Sequence, residues 1–382
     1  MIDVPHVLLD CTAIPAHRGG VGRYVEGLLR GFESSQVRLT LATQARDRDA
    51  FVELVPWANI HSLPPRFTRR PLRIAWEQFS MPGFARRLGV DIIHSPHYTY
   101  PLLWRGGRVV TIHDATFFSD PGMHRPLKRL FFRTWTKLSW HHADAVITPS
   151  AATAGEVERF IGKPVAHVEV ALHGVNSGRF HKPTPTQLTT FRRELGLTPD
   201  ATWFAFLGTI EPRKNVVALL DAYRSLRDEL GDAAPQLLLS GGRGWDKEAL
   251  ARLDALGDDS GVREFGYLPL EHLPALLGGS IAVLYPSSGE GFGLPVLEAM
   301  ACGAAVITTD RLAIPEVGGD AVVYAQVDPP SIAAAMRDLL HDGAKRDRLR
   351  ELAFARAALF TWHATASSHV DAYLSSVRPV RA

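Results

Sequence analysis

Cysteine is almost absent from this 382-residue chain: only Cys11 and Cys302 occur, both in apolar surroundings. That excludes a disulfide framework and suits a reducing, cytosolic setting. No apolar run approaches the roughly 20 residues a membrane span needs, and "MIDVPHVLLD" starts as a strand rather than as a cleavable leader. Zinc-type His/Cys clusters, a G-x-S-x-G nucleophile elbow, a short-period repeat and any nucleic-acid-binding motif are all missing. The "DRD" at 47–49 has aspartate spacing that a divalent cation could use, but it sits in a polar stretch and reads as surface charge. No metal site is expected.

What remains is ordinary soluble-protein material, 46% hydrophobic and 21% charged, in a chain long enough for two domains. The net charge of +2 is unevenly placed: residues 1–180 hold 22 Lys/Arg against 15 Asp/Glu, and the remainder holds 20 against 25. Much of the basic excess lies in 66–79 and 124–142. The second stretch spaces Leu127, Leu130, Phe131, Trp135 and Leu138 at helical intervals among Lys128, Arg129, Arg133 and Lys137. This reads as a core-facing helix with a solvated basic side, the alternative being contact with a membrane surface or an anionic acceptor.

Strand-like and helix-like runs alternate throughout, which predicts an α/β protein with parallel sheets. "VPHVLLD", "RLTLAT", "DIIHSP", "RVVTIHD" and "DAVITPS" form one series of strands. A second begins at "TWFAFLGT" and runs through "APQLLLSGG", "VREFGYL", "IAVLYPS", "AAVITTD" and "AVVYAQ". A Gly/Pro/Ser/Thr-rich linker at 173–189 separates them. Two doubly wound units are therefore expected, and ligands of such units bind beyond the carboxyl ends of the strands. A shared cleft follows as an expectation.

Four segments stand just after such strands. "HRGGVGRY" (17–24) offers Gly20 and Val21 at a helix start, although G-x-G-x-x-G fails at Val25. "TIHDATFF" puts His113 and Asp114 at a strand end. "GTIEPRKNVV" places Arg213 and Lys214 before a helix expected near Asn215, where two cations and a helix N-terminus could neutralise a diphosphate without a metal. In "SSGEGFGLPVLEAM", seven residues separate Glu290 from Glu298. Between them, Gly291, Phe292, Gly293 and Leu294 let backbone amides approach a ligand, and Pro295 suits a first helical turn that would include Glu298. Carboxylates that accept from hydroxyls beside amides that donate to oxygens suit a nucleotide sugar.

These segments resemble one family. "EGFGLPVLE" is similar to the E-x7-E motif of family 4 retaining glycosyltransferases with the GT-B fold, in which two Rossmann-like domains face across a cleft. "GTIEPRKN" resembles the family's diphosphate-binding segment and "HRGGVGRY" its first glycine loop. "HGV" (173–175) and the tail 360–374 resemble its hinge and the C-terminal helix that crosses back to the first domain. The resemblance implies domains at 1–175 with 361–382, and at 176–360. The wording around Arg213 is similar to the bacterial mannosyltransferase branch that uses GDP-mannose to build surface polysaccharides or glycolipids.

By resemblance, Glu298 would bind the ribose. Glu290, with the amides of Phe292, Gly293 and Leu294, would bind the transferred sugar. Arg213 and Lys214 would hold the diphosphate, Gly20 and Val21 would approach the donor, and His113 would contact the sugar at the reacting centre. The base would lie near Tyr267 and Leu268. The resemblance further implies no cofactor beyond the nucleotide-sugar donor, a glycan or lipid-linked acceptor, no nucleic acid, and a cytoplasmic protein with possible peripheral membrane contact. A UDP- or other sugar donor, a nucleotide-sugar epimerase and an inactive sugar-nucleotide-binding protein are the rival readings.

Overall fold

Short, predominantly apolar stretches become the central strands. In the computed structural model, which describes residues 4–16, 19–123 and 125–377, "HVLLD" forms β1 (His6–Asp10), buried along its length. His17 and Arg18 of the first glycine loop and His124 before the basic stretch lie outside the described residues. The first sheet continues with β2 (Arg38–Gln44), β3 (Asn59–Leu63), β4 (Ile92–Ser95), β5 (Gly107–Thr111), β6 (Ala145–Thr148) and β7 (His167–Val170). All pair in parallel, in the order β3-β2-β1-β4-β5-β6-β7, with Val7 between Leu39 and Ile92.

The second sheet comprises β8 (Trp203–Leu207), β9 (Gln236–Ser240), β10 (Val262–Glu264), β11 (Val283–Tyr285), β12 (Val306–Thr308) and β13 (Val323–Tyr324). It is also parallel, in the order β10-β9-β8-β11-β12-β13. Near-continuous apolar runs such as "WFAFL" are what a strand covered on both faces requires. Strand order reverses between β1 and β4, and again between β8 and β11. These are the two topological switch points, where the loops beyond the strands diverge and leave a crevice.

The chain divides into two compact units, Met1–Gly174 with Thr361–Ala382, and Val175–Phe360. The helix Trp362–Ser376 belongs to the first unit and packs on the helix Gly20–Gly31. Glycine permits that approach: a Cβ on Gly31 would stand 2.0 Å from the Trp362 carbonyl oxygen. Beneath this contact lies a buried chain of polar groups. The Tyr24 hydroxyl is bonded to His369 Nε2 at 2.7 Å and to Thr111 Oγ1 at 2.9 Å. His94 then links Thr111 (2.9 Å) to the Tyr373 hydroxyl (2.7 Å).

Three expectations need correction. β3 and β7 are absent from the strand series read in the sequence; both are sheet edges with half-exposed, mixed-polarity residues, so they lack the apolar run that marks an interior strand. The basic helix spans Pro126–His142 and packs Trp135 and Leu138 on the core as expected, but Leu127 and Leu130 are 80% and 64% exposed. Asp47 is buried at the end of a 3-10 turn, Ala45–Asp47, whereas Arg48 and Asp49 are surface charges as expected. Among the described residues, no helix is long and apolar enough to cross a membrane.

Candidate functional site

The second switch point gathers two loops. After β8 the chain makes a 3-10 turn, Pro212–Lys214, and passes through Asn215 in the left-handed region (φ 54°). The helix expected near Asn215 starts one residue later and spans Val216–Leu230. After β11 the chain reaches Gly293 at φ 104°, where side-chain-bearing residues are strained. The helix Leu294–Ala301 follows. Because Gly293 starts that helix at Leu294, Glu298 is its fifth residue and not a member of the first turn, as expected from Pro295. The two loops are tied through one carbonyl: Arg213 O accepts from Ser288 N at 2.9 Å and from Ser287 Oγ at 3.1 Å.

Glu290 is the centre of this junction, and only 7% of it is exposed. Its Oε1 accepts from Lys214 Nζ at 2.6 Å, Ser287 Oγ at 2.7 Å and the Tyr285 hydroxyl at 2.9 Å, and its Oε2 accepts from Arg213 Nη1. Arg213 also donates to Gly289 O at 2.9 Å and to Glu211 Oε1 at 2.7 Å, and Lys214 donates to the Tyr285 hydroxyl. Burial alone would raise the Glu290 pKa, but Arg213 and Lys214 outweigh it and hold the carboxyl at about 2. Burial lowers the Lys214 pKa against the opposing pull of Glu290, and burial with the Glu290 charge keeps Tyr285 protonated.

Glu290 is thus a permanent carboxylate near neutral pH, able to accept hydrogen bonds and poor as a base. Arg213 and Lys214 come together as expected, but not as free positive charge. Glu211 and Glu290 already balance them, so their field acts through fixed, oriented N–H groups.

Phe292 is buried against Phe360, with ring centroids 6.1 Å apart, which anchors the loop. Glu298 is buried on the helix that follows. Tyr267 and Leu268 occupy the loop after β10, which is fastened to the end of β9 by Gly241 N donating to Gly266 O at 2.7 Å. Tyr267 is exposed, and Leu268 packs on the core.

In the first unit His113 follows β5 and is half-buried. Its Nε2 lies 2.8 Å from Pro96 O, and because a carbonyl only accepts, that nitrogen carries the proton. Burial lowers the His113 pKa, so the ring is neutral at pH 7 and Nδ1 is an acceptor. The Tyr24 ring meets it edge-on at 4.9 Å. Tyr24 belongs to the helix that begins at Gly20 and Val21, and a Cβ on Gly20 would meet nothing within 4 Å. Asp114 is spent on its own turn, accepting from Thr116 N and Oγ1 at 3.0 and 2.7 Å.

Sequence reasoning missed Tyr285, Ser287 and Glu211, which complete the Glu290 junction, and Tyr24, which seats His113. One signal was available: Tyr285 places a hydroxyl at the end of an apolar strand, five residues before Glu290. Among the described residues no group of three or more His, Cys, Asp or Glu could hold a metal ion.

Residues 188–356 match the family described as Glycosyl transferases group 1, and residues 18–179 match Glycosyltransferase Family 4. The O-antigen chain mannosyltransferase B of Escherichia coli is 31% identical over 374 residues, covering 93% of this chain and 95% of that protein. Sucrose-phosphate synthase from Thermosynechococcus elongatus has a similar structure, with a TM-score of 0.76 at 22% identity over 97% of this chain and 98% of the other. Anabaena Alr3699/HepE in complex with UDP and glucose superposes with a TM-score of 0.74 at 17% identity, over 96% and 98% of the two chains.

Proposed function

We propose that this chain, which belongs to glycosyltransferase family 4 and has the GT-B fold, transfers mannose from GDP-mannose with retention of configuration to a glycan or lipid-linked acceptor. The observation that carries the reading is the Glu290–Arg213–Lys214 junction at the β8/β11 switch point. Mannose is favoured by the whole-length similarity to an O-antigen mannosyltransferase. A UDP-sugar is the second reading, motivated by the UDP complex of a protein of the same fold.

In the second unit Arg213 and Lys214 donate to the diphosphate, Glu298 accepts from the ribose, and Tyr267 and Leu268 border the base. Glu290 accepts from sugar hydroxyls while the amides of Phe292, Gly293 and Leu294 donate to the sugar. In the first unit Gly20, Val21 and His113 are substrate contacts, His113 through its acceptor Nδ1. The bond from the anomeric carbon to the phosphate oxygen breaks as the acceptor oxygen bonds to that carbon on the same face. The acceptor proton passes to the departing phosphate, since Glu290, held near 2 with both oxygens taken by Arg213, Lys214, Tyr285 and Ser287, is a poor base. No divalent cation is required. The protein works at the cytoplasmic face of a membrane, which the exposed Leu127 and Leu130 beside Lys128 would touch.

Thermal unfolding in EDTA against GDP-, UDP- and ADP-sugars tests this, because a ligand bound only to the folded state raises its stability. GDP-mannose is expected to give the largest shift. A larger shift with a UDP-sugar moves the assignment to the second reading, and no shift with any sugar nucleotide contradicts the site.

A further inference from the structure

A carbonyl oxygen can only accept, and that fact directs every bond in the buried polar string beneath the helix Trp362–Ser376. His369 Nδ1 lies 2.7 Å from Thr365 O, one turn back on its own helix, so Nδ1 carries the proton. Burial lowers the His369 pKa to about 4, which leaves the ring neutral at pH 7 and makes Nε2 an acceptor. The Tyr24 hydroxyl, 2.7 Å away, therefore donates to Nε2. Having one proton, it must accept from Thr111 Oγ1 at 2.9 Å, and Thr111 in turn accepts from His94 Nε2 at 2.9 Å. His94 is neutral for the same reason, so its Nδ1 accepts from the Tyr373 hydroxyl at 2.7 Å.

The string begins and ends on one helix, and Tyr24, Thr111, His94, His369 and Tyr373 are all fully buried. Reversing any one link strands a buried donor or acceptor, which is costly. The Tyr24 hydroxyl is thus fixed in place by a partner on the helix, His369, and one on β5, Thr111.

The other end of Tyr24 meets His113. His113 is held by the hydrogen bond from Nε2 to Pro96 O at 2.8 Å, which fixes one atom and leaves the tilt of the imidazole to the rings packed on it. Those rings are Tyr24, edge-on at 4.9 Å, and Tyr98 at 6.2 Å, so Tyr24 is the closer constraint. The helix reaches Tyr24 by a second route as well. Trp362 in its first turn stacks on His173 at 5.7 Å, and His173 lies 4.9 Å from the Tyr24 ring. His113 Nδ1 therefore faces where it does because Tyr24 is held, and Tyr24 is held from the helix.

We infer that Tyr24 is a positioning residue for His113, and that its hydroxyl, held by His369, makes the seating of the helix Trp362–Ser376 a condition for presenting His113 Nδ1 to substrate. The substrate rests on the reading of His113 as a sugar contact; the positioning does not.

Long-range proton–nitrogen NMR of the histidine rings in the full chain, paired with steady-state kinetics on GDP-mannose and UDP-glucose, tests it. The His113 signals are assigned by their loss in His113→Gln. Wild type is expected to show His113 protonated at Nε2, with one set of ring signals. Tyr24→Phe keeps the ring and loses the tether. It is expected to broaden or split those signals and to lower kcat about tenfold, with the donor KM within about threefold. His369→Leu is expected to do the same. His369→Gln, whose amide oxygen can replace Nε2 as acceptor, is expected to restore one set of signals and a kcat within about threefold of wild type. Unchanged His113 signals in Tyr24→Phe, whatever its melting temperature, would overturn the inference, as would equal losses in His369→Gln and His369→Leu. Should His369→Leu fail to fold, Tyr24→Phe, which adds no volume, decides alone. Altered His113 signals in Tyr24→Phe with no turnover of either donor by wild type would keep the positioning and fail the transfer reading alone.

Discussion

Glu290 receives four donors on two oxygens, so its replacement tests function only if the fold survives. Removing the carboxylate outright leaves Arg213 and Lys214 facing each other with one counter-charge fewer, and breaking a buried pair typically costs about 3–5 kcal/mol. Glu290→Gln keeps the shape. If Glu290 meets the sugar ring that gains positive charge on the way to the transition state, Glu290→Gln lowers kcat about tenfold or more and leaves the donor KM within about threefold. Lys214→Ala, which on the same reading removes a donor to the diphosphate, is instead expected to weaken nucleoside diphosphate binding about tenfold. Steady-state kinetics with calorimetry separate the two, and a Glu290→Gln effect confined to KM would contradict the division. Glu290, Arg213 and Lys214 were legible in the sequence because each stands directly after an apolar strand. Tyr285, Ser287 and Glu211 were not: they bond to Glu290 and Arg213 across only two to five residues, but which way a loop hydroxyl or carboxylate turns depends on the loop's backbone, which the residue types alone do not give.

Among the elements, interior strands announced themselves and edge strands did not. β1 and β8 are buried on both faces and carry the apolar runs 7–9 and 203–207, whereas β3 and β7 need satisfy only one neighbour. Helix starts were legible to within a residue, and their misplacement at Asn215 and Glu298 came from left-handed residues whose φ is set by the turn. The packing of the helix Trp362–Ser376 was visible only as a resemblance, because its close contact rests on glycines opposite it. Gly31→Ala would put a methyl group into the Trp362 carbonyl, and overpacking of this kind costs about 1–3 kcal/mol. Urea unfolding of the variant is expected to show that loss in the first unit's transition. An unchanged midpoint would mean the helix docks without close contact at Gly31.

For the molecule as a whole, the two units differ in what acid does to them. The first holds buried His94, His173 and His369 and half-buried His97 and His113, all with pKa values lowered chiefly by desolvation, His369 to about 4. Between those values and the unfolded value of about 6.5 the unfolded chain binds more protons, so stability falls as pH drops below about 6.5. Glu77, raised by burial to about 7, and Asp10, also raised, act in the opposite direction but are outnumbered. In the second unit Glu290 is lowered from 4.5 to about 2; its contribution, on the order of 3 kcal/mol, is complete above about 4.5 and is lost only as pH falls through about 2. Hydrogen exchange is therefore expected to show first-unit amides losing protection at pH 5 while second-unit amides keep it. Simultaneous loss would contradict the assignment of these charges.

We propose that this chain cleaves a sugar nucleotide at the anomeric carbon and keeps its configuration. Proton NMR of the full chain with GDP-mannose, EDTA and a mannoside acceptor follows the anomeric signal directly. An α-mannosyl product is expected to appear as GDP is released, and to appear much more slowly with Glu290→Gln. A β-linked product, or a donor sugar epimerised without transfer, would contradict it.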